Sequence, residues 1–285
     1  MVKKQAGPFA KKSLGQHFLI DKGVVASAID LAQVGADDLV VEIGPGRGIL
    51  TEALLDNAAA VVAIELDPRM ISYLKATFPD PRLTLVARDV LQVDWAEILP
   101  QDKSAKVVAN LPYYITSPII QRLLEDKEFF STMVLMVQRE VAQRIAAVPG
   151  SRAYGVLSVA VQYHAQVELG PIIGPEAFAP PPDVHSALIK LIPRAQPPVE
   201  TPEEILFRVV RSAFRQRRKT ILNSLLASNL LESESKGEQR ERLEKIIIST
   251  GLDPTQRAET ISIPQYGALA EGMLPYLRQE FLPKR

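Results

Sequence analysis

The stretch that decides the fold is residues 41–50, V-E-I-G-P-G-R-G-I-L, in which a short apolar run breaks into alternating glycines and then resumes with helical spacing. This pattern predicts a strand, a tight turn and the start of a helix. Gly44, Gly46 and Gly48 have no Cβ, so the turn can adopt positive φ and a ligand can lie directly against its backbone. The first N–H groups of the following helix point at the same place. The stretch therefore predicts a ligand-binding turn at the end of a strand.

The spacing of the glycines separates two classes of cofactor. The dinucleotide fingerprint is G-x-G-x-x-G, whereas here the third glycine comes one residue early and Ile49 occupies its place. An acidic residue, Glu42, also precedes the first glycine by two positions. This acidic-x-G-x-G-x-G form resembles the first motif of methyltransferases that use S-adenosylmethionine. A nucleotide-binding turn and a purely structural turn remain the alternatives at this point.

Polar residues end four successive predicted strands. Gly44, Glu65, Asp89 and Asn110 follow one another at intervals of 21, 24 and 21 residues, about one strand plus one helix each. Right-handed crossovers bring the carboxyl ends of such strands to one rim, where ligands bind in open α/β sheets. We expect an α/β fold with a Rossmann-like, mostly parallel sheet and an antiparallel last strand. The antiparallel pair is predicted within residues 167–169 and 187–191.

Each of these residues has a role that a nucleoside with an amino-acid tail would require. Glu65, about 20 residues after the turn, is placed to accept hydrogen bonds from ribose hydroxyls. Asp89 can accept a hydrogen bond from an adenine amino group, and the backbone of Gly44 can approach the methionine portion. The alternative is that Glu65 and Asp89 only cap the helices that follow them.

The segment N-L-P-Y, residues 110–113, follows the fourth strand, where a substrate would meet the cofactor. Proline restricts the preceding residue to an extended shape, so the Asn110 amide and the Leu111 carbonyl can converge on one exocyclic amine. Tyr113 would stack on the base and offset part of the cost of unstacking it. The reaction would be an in-line displacement at the methyl group of a sulfonium, with positioning supplying most of the rate. An ordinary strand-ending turn is the alternative.

Composition excludes several classes of protein. The 285 residues carry 33 basic and 33 acidic side chains, are 47% hydrophobic and contain no cysteine. Disulfides, thiolate metal sites and iron–sulfur clusters are thereby excluded, and with them radical methyl transfer. No apolar run reaches membrane-spanning length and no secretion signal is recognisable, so we expect a cytoplasmic protein without a metal site.

The charge is segregated, although its sum is zero. Two basic runs stand out, one near the N-terminus and one near residue 215, while acidic residues collect elsewhere. Segregated charge of this kind can bind phosphates, although two solvated faces would look the same. The residues of these runs that we predict to contact a phosphate backbone are Lys11, Lys12, Arg211, Arg215, Arg217, Arg218 and Lys219.

Five motifs occur in the order found in the ribosomal RNA adenine dimethyltransferases: K-K-S-L-G-Q-H-F-L (11–19), the glycine turn, the Glu65 and Asp89 strand ends, N-L-P-Y-Y-I (110–115) and F-A-P-P-P-D-V-H-S (178–186). The chain resembles this family over nearly its whole length, and within it the bacterial small-subunit (16S) enzymes whose loss gives kasugamycin resistance. The resemblance implies dimethylation of the N6 atoms of two adjacent adenines in a 3′-terminal hairpin loop of small-subunit RNA. It also assigns residues. Cofactor contacts fall to His17, Leu19, Gly44, Gly46, Glu65, Asp89 and Asn110, and contacts to the target base fall to Asn110, Leu111, Tyr113 and Phe178.

The resemblance and the proline-rich linker at residues 192–203 divide the chain into a cofactor-binding methyltransferase domain (1–195) with a basic arm and a helical RNA-binding domain (200–285). We expect a monomer that uses S-adenosylmethionine, has no membrane partner and acts on small-subunit rRNA within a 30S precursor during ribosome biogenesis. Two alternatives stay open. One is a 23S rRNA dimethylase of the macrolide-resistance type, and the other is a non-catalytic RNA-binding assembly or transcription factor of methylase origin.

Overall fold

The computed structural model describes Pro8 and residues 16–232 and 235–278. Its described residues form two compact units, one drawn from Met1–Gln143 and Ala165–Pro193 and the other from Arg144–His164 and Arg194–Arg285. In that part of the chain, no helix combines the length and the apolar character that crossing a membrane requires.

The first unit is built on a seven-stranded sheet with the order β4-β3-β2-β5-β6-β9-β7. The strands β2 to β6 are parallel to one another, whereas β9 runs antiparallel to β6 and β7 runs antiparallel to β9. The strands are β2 (Leu39–Ile43), β3 (Ala60–Ile64), β4 (Leu83–Val86), β5 (Ala105–Asn110), β6 (Phe130–Gln138), β7 (Ala165–Ile173) and β9 (Ser186–Pro193). A separate two-stranded ladder pairs β1 (Phe18–Leu19) with β8 (Phe178–Ala179). The predicted Rossmann-like fold with a mostly parallel sheet is confirmed.

Helices cover the sheet because its strands are apolar on both faces. Successive residues Val40 and Val41 of β2 point to opposite faces, and both are fully buried. On one face, Val40 and its neighbours pack against apolar residues of α1 and α2, including Ile29 and Leu54. The helices of this unit are α1 (Lys22–Ala32), α2 (Ile49–Asn57), α3 (Pro68–Thr77), α4 (Trp95–Ile98), α5 (Thr116–Glu125) and the start of α6 (Arg139–Ile145).

The second unit is helical and has its own core. Its helices are α7 (Val156–His164), α8 (Glu203–Phe214), α9 (Ile221–Ser228), α10 (Lys236–Ser249) and α11 (Ile263–Met273). Tyr154 and Val159 belong to the same buried cluster as Phe207 and Phe214 of α8. Residues 144–164 therefore join the helical unit, although the predicted boundaries placed them with the sheet. The predicted linker contains the point where the chain leaves the first unit for the last time, since β9 ends at Pro193 and Arg194 belongs to the second unit.

The basic run near residue 215 does not lie on one continuous helix, because the chain turns between α8 and α9. The Thr220 side chain accepts a hydrogen bond from the Asn223 backbone N–H and so caps the start of α9. The backbone N–H of Ile221 donates to the carbonyl of Gln256, and Thr220 forms an isolated β-bridge with Arg257. These contacts hold residues 215–219 in a turn, so most of the basic run lies on a loop and not on a helix.

Candidate active site

The three glycines of the turn between β2 and α2 all have positive φ, 69° at Gly44, 54° at Gly46 and 80° at Gly48. The turn is also packed tightly. A Cβ at Gly46 would lie 3.0 Å from Cδ1 of Phe18, and a Cβ at Gly48 would lie 2.3 Å from Cε2 of Phe78. The positive φ therefore favours glycine at both positions, and lack of space favours it further, most strongly at Gly48. The turn is a cradle that leaves its backbone open to a ligand.

A cavity of about 300 Å³ opens beside this cradle, at the carboxyl ends of the central strands. It receives side chains or backbone from the ends of β1, β2, β3, β4 and β5. The predicted residues that line it are His17, Leu19, Gly44, Gly46, Glu65, Asp89, Asn110, Leu111 and Tyr113. The structure thus brings together nine of the ten residues predicted for the cofactor and the target base.

Glu65 and Asp89 are both partly engaged by backbone N–H groups. Oε1 of Glu65 accepts from the N–H of Asp67 at 2.8 Å, and Oδ1 of Asp89 accepts from the N–H of Leu91 at 3.0 Å. The capping alternative holds in part, because Asp89 caps the short 3-10 turn Val90–Gln92. The cap of α3 is Asp67 and not Glu65. Burial raises the pKa of the Glu65 carboxyl, an effect opposed by hydrogen bonds from the backbone.

A third carboxyl lines the cavity, and the sequence did not predict its chemical state. Glu42 is only 1% exposed, and Thr51 of α2 donates its hydroxyl to Oε2 of Glu42 at 2.6 Å. Burial raises the pKa of Glu42 to about 8, and the neighbouring negative charge of Glu65 adds to the shift. The signal in the sequence was a single acidic residue inside an otherwise apolar strand.

The N-L-P-Y segment is held by contacts on both sides. Nδ2 of Asn110 donates to the carbonyl of His17 at 3.5 Å, which turns the amide oxygen away from that carbonyl. The N–H of Leu111 donates to the carbonyl of Met136 at 3.1 Å, so Leu111 extends the hydrogen bonding between β5 and β6 by one residue. Asn110 and Leu111 are therefore fixed by the β1 segment and by β6.

Tyr113 is anchored at its hydroxyl and beside its ring. The hydroxyl is 2.6 Å from Oγ of Ser186, which is fully buried at the start of β9. The ring stacks with that of His17 at a centroid distance of 6.0 Å and an interplanar angle of 25°. Burial raises the pKa of the Tyr113 hydroxyl, and the hydrogen bond with Ser186 partly offsets this. The hydroxyl is therefore neutral near pH 7, and the tyrosine offers a rigid aromatic face.

Phe178 does not reach the cavity. Its side chain is 2% exposed, it belongs to the core cluster that includes Ile29 and Leu54, and its backbone pairs with Leu19 across the small ladder. In this arrangement it supports β1 from behind and presents no face to a base. The predicted contact between Phe178 and a base is therefore not seen. Tyr114, the residue after Tyr113, also lines the cavity and is 60% exposed.

Apart from Arg217, the predicted RNA-binding residues fall into three groups. Lys11 and Lys12 lie outside the described residues. Arg215, Arg218 and Lys219 are exposed on the turn after α8, and Arg211 lies on α8 with its guanidinium 6.0 Å from the ring centroid of Phe207.

Arg217 differs from its neighbours because it is bound within its own unit. Nη2 of Arg217 donates to the carbonyls of Arg152 at 2.9 Å and Tyr154 at 3.3 Å. This side chain therefore fastens the turn after α8 to the segment before α7.

The cavity suits an adenosyl group joined to an amino-acid tail. The positive-φ glycines leave backbone room for the tail, and carboxylates stand at the ends of β3 and β4 to accept hydrogen bonds from hydroxyl and amino groups. A Rossmann-like sheet with an antiparallel final strand and this cavity defines the class of S-adenosylmethionine-dependent methyltransferases.

Comparison with known proteins narrows the class to a family. A family model described as ribosomal RNA adenine dimethylase matches residues 9–268. Proteins named ribosomal RNA small subunit methyltransferase A, from Bacillus thuringiensis (strain Al Hakam) and Bacillus mycoides (strain KBAB4), are each 43% identical over 270 residues, covering 93% of this chain and 91% of the relative. The chain therefore belongs to the ribosomal RNA adenine dimethylase family, as its motifs predicted.

Solved structures agree with this assignment. A dimethyladenosine transferase from Plasmodium falciparum is 25% identical with a TM-score of 0.76, covering 91% of this chain and 98% of the other. The 23S rRNA methyltransferase ErmE is 27% identical with a TM-score of 0.69, covering 90% and 98%. Both likenesses extend through the sheet and well into the helical unit.

Proposed function

We propose that this protein dimethylates the N6 amines of two adjacent adenines in a 3′-terminal hairpin loop of small-subunit (16S) rRNA, within a 30S precursor in the cytoplasm, and that it acts as a monomer. The observation that carries the proposal is the meeting of the glycine cradle, Glu65, Asp89 and the N-L-P-Y segment in one cavity. The choice of small-subunit RNA is supported by the 43% identity to relatives that bear that name.

S-adenosylmethionine, when bound, supplies an electrophilic methyl group on a sulfonium. We propose that the backbone at Gly44 and Gly46 lies against its amino-acid portion, Glu65 accepts hydrogen bonds from the ribose, and Asp89 accepts one from the adenine amino group. His17 and Leu19 would close the cavity from the β1 side, since both line it. The partly buried Glu65 carboxylate favours a hydroxyl partner, because donated hydrogen bonds compensate for its desolvation.

The residues of the N-L-P-Y segment would act on the target amine. The lone pair of an adenine N6 is delocalised into the ring, so the free amine is a poor nucleophile. Hydrogen bonds from its N–H groups to the Asn110 amide oxygen and the Leu111 carbonyl favour the pyramidal form, in which the lone pair is available. Tyr113 would support the base with its anchored ring, and the amine releases its proton after alkylation without a strong general base.

RNA affinity would come from the helical unit. Arg211, Arg215, Arg218 and Lys219 are proposed to contact phosphates, which supply affinity and register but little sequence information. Arg217 is proposed to hold the turn that presents its neighbours, since its guanidinium already binds two carbonyls. Lys11 and Lys12 would add to the electrostatic attraction. Affinity for RNA should therefore fall steeply as salt is raised.

The first test is the site and product of methylation. We expect 30S particles from a strain that lacks its own dimethylase to accept tritium from labelled cofactor as N6,N6-dimethyladenosine at two adjacent positions. The 23S alternative, supported by the likeness to ErmE, predicts labelling of 23S RNA or 50S precursors instead. A non-catalytic RNA-binding factor would bind particles equally well without cofactor and label nothing.

The second test is the role of Asn110. We expect Asn110→Ala to lower kcat by about 100-fold or more, because an oriented hydrogen-bond partner of the reacting group is lost. Cofactor binding, measured by equilibrium dialysis, separates loss of the cofactor from loss of chemistry. Asn57→Ala is the matched control, since this exposed asparagine donates to the carbonyl of Ala53 on its own helix and does not line the cavity. Transfer by Asn110→Ala at the wild-type rate would refute the role given to Asn110.

A further inference from the structure

Tyr114 is an exposed aromatic side chain at the cavity that has no part in the proposed methyl transfer. Its side chain is 60% exposed, yet it lines the same cavity as Asn110 and Tyr113. Leu66 also lines the cavity and is 63% exposed, but it has no aromatic ring. Exposed apolar side chains scattered over a surface are ordinary, but an exposed aromatic ring beside a cavity suited to a nucleobase indicates a binding role.

The backbone around Tyr114 is held in one conformation. Residues Tyr113–Ile115 form a 3-10 turn, which begins after Pro112 at φ −60°. The N–H of Ile115 and the hydroxyl of Thr116 both donate to the Pro112 carbonyl, at 3.2 Å and 3.0 Å. The turn is therefore pre-organised, and the direction of each side chain on it is set by the backbone.

A 3-10 turn places consecutive side chains about 120° apart, because it has three residues per turn. Tyr113 points to Ser186, with its ring beside that of His17. Tyr114 must therefore point in a different direction from the same strand end. Two rings so arranged cannot stack on one face of the same base, but they can each support one of two bases that are splayed apart.

Phe178 cannot take this second position. Its ring is buried in the core behind β1, with 2% exposure, and it does not line the cavity. In the described part of the chain, the phenylalanine, tyrosine and tryptophan residues that line this cavity are Phe18, Tyr113 and Tyr114. The guanidinium carbon of Arg47 lies 4.7 Å from the centroid of the Phe18 ring and covers that ring. Tyr114 is thus the aromatic surface that remains accessible to RNA.

We propose that Tyr114 stacks on the nucleobase next to the target adenine and holds that neighbour at the mouth of the cavity while the target lies against Tyr113. The inference rests on the proposed function and adds a recognition element to it. Single-stranded RNA is commonly bound by stacking unpaired bases on aromatic side chains, and such stacking tolerates any base. Tyr114 would therefore contribute to binding of the loop and to its register, and would not take part in methyl transfer.

The experiment is a cycle that combines a change in the protein with a change in the RNA. Full-length wild type and Tyr114→Ala are titrated against reconstituted 30S particles whose loop has either an intact base or an abasic nucleotide beside the target adenine. With the intact loop, we expect Tyr114→Ala to weaken binding about 5- to 30-fold, which is about 1–2 kcal/mol. With the abasic loop, the same substitution should change the dissociation constant less than twofold, because the stacking partner is already missing.

Two further variants separate the aromatic face from the hydroxyl and from apolar bulk. Tyr114→Phe keeps the ring and should bind as wild type does, whereas Tyr114→Leu keeps apolar bulk and should behave as Tyr114→Ala does. Tyr276→Ala is the matched control, since Tyr276 is an exposed tyrosine on another 3-10 turn, in the helical unit. Thermal unfolding should be unchanged in the Tyr114 variants because the side chain is mostly exposed.

The inference is overturned if Tyr114→Ala binds the intact loop as tightly as wild type, or if it weakens binding to intact and abasic loops by the same factor. The proposed function fails in a different way. A wild-type protein that binds the particles but transfers no methyl group to adenine would refute that function, while the binding cycle would still report on stacking.

Discussion

At the scale of single residues, the buried carboxyl of Glu42 shows how a ligand site places demands on a fold. A carboxyl with 1% exposure in a central strand would be replaced by an apolar residue if packing alone mattered. The hydroxyl of Thr51 donates a hydrogen bond to the Glu42 carboxyl, and Glu65 lies close enough to disfavour a second negative charge. The neutral form of Glu42 is therefore the form that the folded protein favours.

This preference predicts a pH dependence of stability. The pKa of Glu42 is raised to about 8 in the folded protein, from 4.5 for an unperturbed glutamate. Between these values the folded state keeps a proton that the unfolded state has lost, so the free energy of unfolding falls as pH rises through this window, by up to about 1.4 kcal/mol per pH unit. Below this window the Glu42 carboxyl is protonated in both the folded and the unfolded state, and above it the carboxyl is charged in both.

The measurement is the difference in the free energy of unfolding between wild type and Glu42→Gln, from urea titrations at pH 5, 6.5 and 8.5. We expect the free energy of unfolding of Glu42→Gln, relative to that of wild type, to increase by roughly a few kcal/mol between the lowest and the highest pH. Glu97→Gln, at an exposed ion pair with Arg88, is the control and should give a parallel curve. Parallel curves for Glu42→Gln would show that the carboxyl does not titrate in this window.

At the scale of elements, the turn between β2 and α2 depends on glycine for two separate reasons. Gly48 has a φ of 80°, and a Cβ there would lie 2.3 Å from Cε2 of Phe78 and 2.9 Å from Cδ2 of Leu74. Gly150, in the helical unit, has a similar φ of 88°, but no atom lies within 4 Å of a Cβ placed on it. Comparing substitutions at Gly48 and Gly150 therefore separates the cost of backbone strain from the cost of having too little space for a side chain.

We therefore expect Gly150→Ala to lower the free energy of unfolding by about 1–2 kcal/mol through backbone strain alone. Gly48→Ala should lower it by about 2–4 kcal/mol, since overpacking adds to the same strain. The measurement is the urea midpoint of each variant against wild type. Equal losses for the two variants would show that Phe78 and Leu74 move aside freely.

At the scale of the whole molecule, the helical unit is built from two separate parts of the chain. Tyr154, Val159 and Tyr163 come from residues 144–164, and they share one core with helices α8 to α11. The strands β7 and β9 lie between these parts in sequence but belong to the other unit. The N–H of Arg194 donates to the carbonyl of His164 at 2.8 Å. This hydrogen bond joins the two parts directly next to the two ends of the intervening segment, residues 165–193.

This arrangement predicts which fragments fold. Residues 200–285 alone should fail to unfold cooperatively, because each large core side chain removed costs about 2–5 kcal/mol and a domain of this size is stable by only about 5–15 kcal/mol. Residues 144–164 joined to 194–285 by a short glycine–serine linker should unfold cooperatively in a urea titration followed by circular dichroism. A cooperative transition in the 200–285 fragment would contradict the shared core.

Much of the first unit could be predicted from sequence because its signals are local. An apolar strand, three glycines and a helix within ten residues define the turn, and regular spacing places Glu65, Asp89 and Asn110 at the ends of parallel strands. Chain connectivity then brings those ends to one rim, since crossovers between parallel strands have one hand. Nine of the ten residues predicted for the cofactor and the target base accordingly line one cavity.

What only the tertiary structure decided are the properties that depend on neighbours distant in sequence. The burial of Phe178 follows from its pairing with Leu19, 159 residues earlier in the chain, and the anchoring of the Tyr113 hydroxyl follows from Ser186, 73 residues later. The raised pKa of Glu42 comes from burial in the sheet and, in addition, from Glu65, which lies 23 residues later in the chain. The two carbonyls that bind Arg217 lie 65 and 63 residues before it. Sequence patterns specify where a backbone bends and which face is apolar, but which polar or aromatic group stays accessible is set by packing between segments that lie far apart along the chain.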